Sequence, residues 1–282
     1  MDWWHAVVLG LVEGITEYLP ISSTGHLILT SSLLGLHTPE QSAAVAAFEI
    51  VIQGGAILAV LGLYWRRVLQ MGAGLAGRDP LGRRLLGNLA IGFLPAALLG
   101  PLLDDPIEQH LFHAGPVLAV LFLGGVWMIW LDRRRAPEAG APLDTLGWRQ
   151  ALAIGLFQCA AMWPGTSRSM MTIAGGVLLG LRAREAAEFS FLLGVPTLGG
   201  ACVYKLAKNL AAASSQGTPN LFEQLGPASV ALGVAVAALS AAVAVRWLVS
   251  FLQRHGLAPF GWYRIALALL FGGLLWSGTL EL

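Results

Sequence analysis

Charged residues are scarce in this chain of 282 residues, at 12% of the total, whereas a soluble domain carries about 25%. No polar run is long enough to form a separate soluble domain. Only two cysteines are present, which argues against a disulfide framework. The formal net charge of +1 argues against nucleic acid as a partner. Because the N-terminus lacks a basic region and a small-residue cleavage site, we expect no removable signal peptide.

The sequence is rich instead in long apolar segments. Hydrophobic residues make up 56% of the chain, and the mean hydropathy is +0.69. About 20 residues are needed for a helix to cross about 30 Å of hydrocarbon. Two regions, 3–36 and 148–181, are apolar but are interrupted near the middle by proline and polar residues. The pattern predicts an all-α polytopic membrane protein. Six uninterrupted segments are predicted to span the membrane: 43–64, 85–103, 115–131, 187–206, 227–249 and 262–280.

The basic residues favour one orientation of these segments. If each interrupted region enters and leaves the membrane on the same side, 14 of the 17 Lys and Arg residues fall on one face, which the positive-inside rule makes cytoplasmic. Lys205 and Lys208 lie opposite, and Arg168 is interpreted as the only basic residue inside the membrane. Residues 170–180 would form a helix of only about 17 Å, too short to cross. We therefore expect two re-entrant helical hairpins, the first open to the outside and the second to the cytoplasm.

The two halves of the chain resemble each other. Glu13 and Gln158 hold like positions, as do Pro20 and Pro164, and each proline precedes a hydroxyl-rich run. One hairpin and three spans per half give an odd number of crossings, so the halves have opposite orientations and form an inverted-topology repeat. We expect the site where the two hairpins meet. The predicted boundaries are 1–282 for a single membrane domain, about 1–131 and 148–282 for the repeats, and 132–147 for a basic cytoplasmic linker.

Ionisable side chains inside the hairpins mark the candidate site, because each costs several kcal/mol in hydrocarbon. Glu13 and Glu17 are four residues apart and share a helix face. Two carboxylates in a low dielectric need a cation or a shared proton between them. We predict a divalent cation there, Mg²⁺ or Ca²⁺ because the ligands are oxygens, or one metal ligand beside a general base. The alternative is a pair of carboxyls that brace the hairpin. Arg168 can clamp phosphate oxygens or neutralise the two glutamates.

Helix starts after the two prolines predict an anion site. Pro20 is expected to end the first half-helix, after which Ser22, Ser23 or Thr24 caps the next one. The segment 164–167 repeats this arrangement. Free N–H groups and the helix dipole at an N-terminus favour anions, so two converging N-termini suit a phosphate. Ordinary capping is the plainer interpretation of the same residues.

His26 lies three residues after Ser23, so the two side chains can face each other across one helical turn. A serine and histidine together can be a nucleophile and its base. Alternatively, His26 protonates a leaving oxygen. A purely structural histidine is the remaining interpretation.

These two clusters resemble the signatures of the undecaprenyl-diphosphate phosphatase family, the bacitracin-resistance membrane phosphatases. Residues 13–26 are similar to the family's E-x-x-x-E motif followed by P-x-S-S-T-G-H, and residues 164–169 to its P-G-x-S-R-S motif. The segments 48–53 and 188–193 extend the resemblance, which covers nearly the whole chain. It implies hydrolysis of undecaprenyl diphosphate to the monophosphate and phosphate, with a divalent cation. It also implies a bacterial inner-membrane protein whose active site opens to the outer face.

The motifs give one set of candidate site residues. Catalytic roles are predicted for Glu17, Ser23, His26 and Arg168. Substrate binding is predicted for Ser22, Thr24, Thr166, Ser167 and Ser169. Metal binding is predicted for Glu13 and Glu17. Either Ser23 or a water molecule would attack the terminal phosphorus, while Arg168 and Ser167 stabilise the phosphoryl oxygens.

Other classes of protein remain as alternatives. Inverted repeats with interrupted helices are also a transporter architecture, so a polyprenyl-phosphate flippase or another anion transporter is the main alternative. A transporter has no need of Ser23 and His26 as a nucleophile and base. An intramembrane serine protease would have no clear use for Glu13, Glu17 and Arg168. The sequence leaves the oligomeric state open, a homodimer included.

Overall fold

The computed structural model describes residues 1–36, 42–111, 113–134, 140–216 and 220–277. Within these residues the chain is helical, with no strand and one isolated bridge between Ala141 and Leu181. A short 3₁₀ turn spans Leu143–Thr145. The described helices, in chain order, are α1 (Trp3–Thr16), α2 (Ser23–Leu33), α3 (Ser42–Leu63), α4 (Trp65–Leu75), α5 (Pro80–Leu111), α6 (Ala114–Asp132), α7 (Trp148–Ala160), α8 (Arg168–Leu178), α9 (Ala183–Gln216), α10 (Leu221–Leu225), α11 (Pro227–His255) and α12 (Ala258–Trp276).

Six of the described helices are long and apolar enough to cross a membrane: α3, α5, α6, α9, α11 and α12. They coincide with the six spans predicted from the sequence, so the all-α polytopic fold class is confirmed. Large apolar side chains such as Leu102, Leu239 and Leu269 are exposed on these helices. In a bilayer such side chains meet lipid tails, which are as apolar as leucine. This is a multi-pass membrane protein.

The order of short and long helices in α1–α6 repeats in α7–α12. Helices α1 and α7 begin 145 residues apart, and helices α2 and α8 begin 145 residues apart as well. Four of the six shorter helices form two interrupted pairs, α1–α2 and α7–α8, that correspond to the two predicted hairpins. Their re-entrant course and the division of the chain into repeats stay predictions. Residues 135–139 of the predicted linker lie outside the described residues.

Each interrupted pair packs on a long helix of the opposite half. Helix α1 packs on α11, and helix α7 packs on α5. In both pairs of helices, each helix places a glycine at the point of contact. A Cβ atom at Gly10 would collide with the backbone of Gly233, and a Cβ atom at Gly155 would collide with the backbone of Gly92. Small residues let membrane helices approach closely, and here they bring both interrupted pairs into the middle of the molecule.

One basic residue lies elsewhere than the sequence suggested. Arg264 is one of the 14 basic residues assigned to the basic face, as a residue that flanks the last loop, but it lies in the second turn of α12 and is fully buried. The predicted span 262–280 already contains Arg264, and the packing of α12 buries its side chain in the protein interior. The interpretation of Arg168 as the only basic residue inside the membrane region is therefore wrong.

Candidate active site

The two interrupted pairs share the same capping geometry. Helix α1 ends at Thr16, before Pro20, and α2 starts at Ser23. Ser22 caps α2, because its hydroxyl accepts a hydrogen bond from the N–H of Gly25 at 3.5 Å. Ser167 caps α8 in the same way, accepting from the N–H of Met170 at 3.3 Å.

Both capping serines have unusual backbone angles. The φ angle is +74° at Ser22 and +75° at Ser167, and they are the only non-glycine residues with positive φ in the described chain. Such a conformation costs about 1–3 kcal/mol and persists only where the surroundings enforce it. Strain of this kind clusters at functional sites. Here it occurs at the same point of both interrupted pairs.

A cavity of about 150 Å³ lies between the two breaks. Both interrupted pairs contribute to its wall, which therefore joins polar groups that are about 145 residues apart in sequence. Six predicted site residues line it: Glu17, Ser22, Ser23, Thr24, Ser167 and Arg168. Other lining residues include Gln53 of α3, Trp163 and Leu198.

A chain of charged and polar contacts runs along this cavity. Arg168 Nη2 donates to Glu17 Oε1 at 2.9 Å, and Ser23 Oγ donates to Glu17 Oε2 at 2.7 Å. The side chains of Arg168 and Glu17 are only 10% and 5% exposed. Charge-assisted hydrogen bonds of this kind are about twice as strong as neutral ones. The structure therefore joins an arginine, a carboxylate and a serine hydroxyl in one buried line.

Several contacts fix the guanidinium of Arg168 in place. Its Nη1 donates to the carbonyl of Ser190 on α9 at 2.9 Å. Its guanidinium carbon lies 5.3 Å from the ring centroid of Tyr18, a cation–π distance. Gly194 makes room for it, because a Cβ there would lie 2.8 Å from Arg168 Nη1. Nε is buried and has no partner in the described chain.

Glu13 is fully buried, and neither of its carboxylate oxygens has a hydrogen-bond partner among the described residues. Such a group needs a proton or a cation. Glu17 lies one helical turn away. The described residues contain no group of three or more His, Cys, Asp or Glu side chains that could hold a metal ion. Mg²⁺ commonly binds through one or two carboxylates plus waters and substrate phosphates. Glu17 in the cavity wall and Glu13 one turn behind it are a pair of carboxylates that fits that kind of ion.

His26 does not face Ser23. Its Nδ1 lies 2.7 Å from the carbonyl oxygen of Ser22, and its Nε2 lies 2.8 Å from the hydroxyl of Tyr263 on α12. Because Nδ1 bonds back to the previous turn, the ring turns toward α12 and away from the cavity wall. The hydroxyl of Ser23 contacts Glu17 instead. The predicted serine–histidine contact is thus absent from the described structure.

Two predicted substrate-binding residues also lie behind the cavity wall. Ser169 is fully buried, and its hydroxyl donates to the carbonyl of Leu19 at 2.8 Å, which ties the second break to the first. The Oγ atoms of Ser169 and Ser167 are 3.0 Å apart. Thr166 is buried, and its hydroxyl has no partner in the described chain. Their direct contact with a substrate stays a prediction.

Comparison with known proteins identifies the family of this chain. Residues 6–270 match the family model described as bacitracin resistance protein BacA. The chain belongs to the BacA family. It is 48% identical to the undecaprenyl-diphosphatase of Sorangium cellulosum over 96% of this chain and 85% of that protein. It is 47% identical to undecaprenyl-diphosphatase 2 of Rhodospirillum rubrum, over 98% of this chain and 96% of that protein. The undecaprenyl-diphosphatase of Methylococcus capsulatus is 43% identical over 98% of both chains.

Two glutamates outside the interrupted pairs, Glu49 and Glu188, hold matching places in the two halves, which predicts that each accepts a hydrogen bond that holds a hairpin. Glu49 does so, accepting a hydrogen bond from Ser31 of α2 at 2.6 Å. Glu188 instead accepts from Arg67 of α4 at 2.7 Å. In the second pair, the hydroxyl of Ser190 on α9 makes the corresponding contact: its Oγ atom lies 2.6 Å from the Oγ1 atom of Thr172 on α8.

A larger, more open cavity of about 470 Å³ lies elsewhere in this BacA-family protein, around the junction of α3 and α4. Arg67 in its wall is paired with Glu188 and with Asp144, at 2.7 and 3.3 Å. Burial opposes the charge of Arg67, but the hydrogen bond and ion pair with Glu188 prevail and raise the pKa of the guanidinium. Two acidic partners leave this arginine little attraction for an anion, so we assign the chemistry to the smaller cavity.

Proposed function

We propose that this protein hydrolyses undecaprenyl diphosphate to undecaprenyl phosphate and inorganic phosphate, which recycles a carrier lipid for cell-wall synthesis. The observation that carries the proposal is the buried line Arg168–Glu17–Ser23 in the wall of a cavity beside two helix starts. An arginine and helix N–H groups suit a phosphate group, and a carboxylate-bound hydroxyl suits nucleophilic chemistry. Membership of the BacA family supports the choice of substrate.

Arg168 stabilises the phosphoryl oxygens in this proposal. Phosphoryl transfer needs mainly positioning and neutralisation of the charge that spreads over the equatorial oxygens. Contacts with Tyr18, Ser190 and Glu17 fix the guanidinium before substrate arrives, so little reorganisation is needed at the moment of reaction. The N–H groups at the capped start of α8 after Ser167 supply further donors.

Glu13 and Glu17 would hold the divalent cation. When bound, that ion neutralises phosphate charge and orients the diphosphate. Glu17 also accepts the proton of the attacking hydroxyl, since one of its oxygens already accepts the hydrogen bond of Ser23. A new bond then forms between the attacking oxygen and the terminal phosphorus. The bond to the bridging oxygen breaks, and undecaprenyl phosphate leaves.

The attacking group is either Ser23 or a water molecule held in its place. The contact between Ser23 and Glu17 favours the serine, because the hydroxyl is buried, 8% exposed, and already directed at a base. Serine attack would leave a phosphoserine that water then hydrolyses. Rapid quenching of a reaction with substrate that carries ³²P in its terminal phosphate would trap that intermediate at position 23. A Ser23→Ala variant with appreciable turnover would point to water.

The positive-inside rule supports a cytoplasmic position for the basic loops and an external opening for the α1–α2 pair. Removing the buried Arg264 from the count leaves 13 basic residues on that face, a large excess over Lys205 and Lys208. The substrate diphosphate would then be approached from the outer face of a bacterial inner membrane.

Transport of a polyprenyl phosphate is the second candidate function. Its support is the reciprocal packing of α1 on α11 and of α7 on α5, since paired interrupted helices around a central site are a transporter architecture. A transporter would bind the anion at the same cavity but release no phosphate.

Phosphate release from detergent-solubilised undecaprenyl diphosphate separates the two functions. We expect release that EDTA abolishes and that added Mg²⁺ or Ca²⁺ restores. Movement of a labelled polyprenyl phosphate between leaflets of vesicles, without phosphate release by the folded protein under any divalent ion, would contradict hydrolysis and favour transport.

A further inference from the structure

Helix α12 contacts the two breaks behind the candidate active site through two adjacent side chains, Tyr263 and Arg264. Neither residue belongs to a motif in the two hairpins. Arg264 is fully buried, and in the part of the chain that the structure describes it forms no ion pair. A buried guanidinium without a carboxylate is costly unless its N–H groups are hydrogen-bonded. Its partners are therefore informative.

The partners of Arg264 are all backbone carbonyls. Nη2 donates to Gly165 at 2.9 Å and Nη1 to Pro20 at 3.5 Å, so the guanidinium spans both breaks. Further donors reach Val120 at 3.2 Å and Leu121 at 3.3 Å on α6. Bonds to α6 alone would be enough to join α6 and α12. The bonds to Pro20 and Gly165 instead hold the two loops that carry the catalytic groups.

The sequence distances make this contact relevant to the reaction. Pro20 lies midway between Glu17 and Ser23, and Gly165 lies three residues before Arg168. A shift of either loop would therefore move one side of the Arg168–Glu17–Ser23 line against the other. Gly124 on α6 makes room for this arrangement, because a Cβ there would lie 2.6 Å from Arg264 Nη2.

Tyr263 fixes the ring of His26. The carbonyl of Ser22 can only accept a hydrogen bond, so the Nδ1 atom of His26 at 2.7 Å carries the proton. In the neutral ring, Nε2 then accepts the hydrogen bond of the Tyr263 hydroxyl at 2.8 Å. The two rings are nearly parallel, with an interplanar angle of 4°. Both the tautomer and the orientation of His26 follow from these two contacts.

We infer that Tyr263 and Arg264 are positioning residues of the active site: Arg264 holds the two capped loops in register, and Tyr263 orients His26. The inference rests on the proposed phosphatase function. Neither residue needs to touch the substrate. Their effect should therefore appear in kcat more than in KM, since uniform binding to the substrate is left intact.

Tyr263→Phe tests the contact with His26 and removes only a hydroxyl from a half-exposed side chain. We expect kcat to fall about tenfold, with KM changed by less than about twofold. His26, predicted from the sequence as a base or as the proton donor to the leaving oxygen, would lose one of the two hydrogen bonds that orient it. Tyr204→Phe on α9, where the tyrosine is also half-exposed, is the matched control and should be like wild type. Wild-type kcat in Tyr263→Phe would overturn the assignment of Tyr263.

Nitrogen-15 NMR of histidine-labelled protein tests the same contact without turnover. The chain has six histidines, so the His26 signals are identified by their loss in His26→Gln. We expect the Nδ1–H tautomer in the wild type and a shifted Nε2 resonance in Tyr263→Phe. An Nε2–H tautomer in the wild type would contradict the inference. Inactive wild-type protein with the expected Nδ1–H signature would contradict the proposed function alone.

Arg264→Lys tests the contact with the loops. Lysine keeps the charge but cannot span four carbonyls, so we expect kcat per folded molecule to fall about 100-fold, the scale of misplacing catalytic groups by about 1 Å. Arg66→Lys, at an exposed position on α4, is the control and should keep wild-type kcat. A folded Arg264→Lys variant with wild-type kcat would overturn the inference. If that variant does not fold, Gly124→Ala displaces the guanidinium while keeping it, and wild-type kcat there would overturn the inference equally.

Discussion

The first interrupted pair, α1–α2, and the second, α7–α8, share a backbone frame but carry different chemistry. In both, a serine with a φ angle near +75° caps the second helix. In both, the first helix meets a glycine of a long helix from the other half. The side chains at matched positions differ, however. Glu13 corresponds to Gln158, and Ser23 corresponds to Arg168, at the same spacing of 145 residues.

This difference shows how a duplicated frame can form one asymmetric site. Capping and glycine contacts depend on the backbone, so both copies need the same small or hydroxyl residues. Phosphoryl transfer needs positive charge at the phosphoryl oxygens and a base beside the attacking oxygen, two roles that identical copies would not divide between them. Here the first pair supplies the carboxylates and a hydroxyl, and the second supplies the arginine that binds one of those carboxylates.

Replacing Arg168 should cause the largest loss of activity, because it removes the charge that the second pair contributes to the site. We expect Arg168→Ala to lower kcat/KM for undecaprenyl diphosphate at least about 100-fold. Arg78→Ala at an exposed position on the basic face is the control and should be like wild type. Turnover of Arg168→Ala close to wild type would mean that the second pair supplies no charge needed for the reaction.

Exchanging the matched residues Glu13 and Gln158 tests whether the carboxylate is needed on one side only. Glu13→Gln should lose about 100-fold in activity and need a higher concentration of divalent cation, because one proposed metal ligand is gone. Gln158→Glu should keep most of its activity but unfold at a lower temperature, since it buries a further carboxylate. Equal losses of metal response in the two variants would contradict the assignment.

Gly194→Ala tests whether the position of the Arg168 guanidinium matters, without changing any charged group. The new Cβ would press on the guanidinium from 2.8 Å, so we expect about tenfold loss of kcat from a shifted arginine. Gly199→Ala on the same helix is the matched control, because a Cβ there meets nothing within 4 Å. Activity should remain unchanged in the control. Equal activity of the two variants would mean that the position of Arg168 is not critical.

The smallest expected effect concerns the shared frame. Replacing Ser22 by glycine or by alanine removes the capping hydroxyl in both cases, but only glycine tolerates a positive φ without strain. We expect the alanine variant to be less stable than the glycine variant by about 1 kcal/mol in detergent unfolding. The same difference should appear at Ser167. A difference at one position only would contradict the equivalence of the two breaks.

The parts of this structure that depend on local pattern could be predicted from the sequence. The six spans follow from apolar length, and the cap by Ser22 follows from a proline-terminated helix with hydroxyls after it. The spatial meeting of Glu17 and Arg168 was also anticipated, because both are costly in hydrocarbon and each needs a partner.

Contacts between distant helices could not be predicted in the same way. Spacing along α2 suggested that His26 faces Ser23, but Tyr263, 237 residues later, takes its Nε2 atom. Arg264 was assigned to the basic face beside the last loop, because its local sequence gives no sign of the four carbonyls that surround it. The room that Gly194 gives Arg168 likewise depends on how α8 packs against α9.

The most direct test of one shared site is a double-mutant cycle across the two pairs. Phosphate release is measured for wild type, Glu17→Gln, Arg168→Lys and the double variant. If the two residues act as a unit, the double variant should be about as slow as the slower single variant. Losses that multiply would mean that the two pairs act independently, and would contradict the single site formed between them.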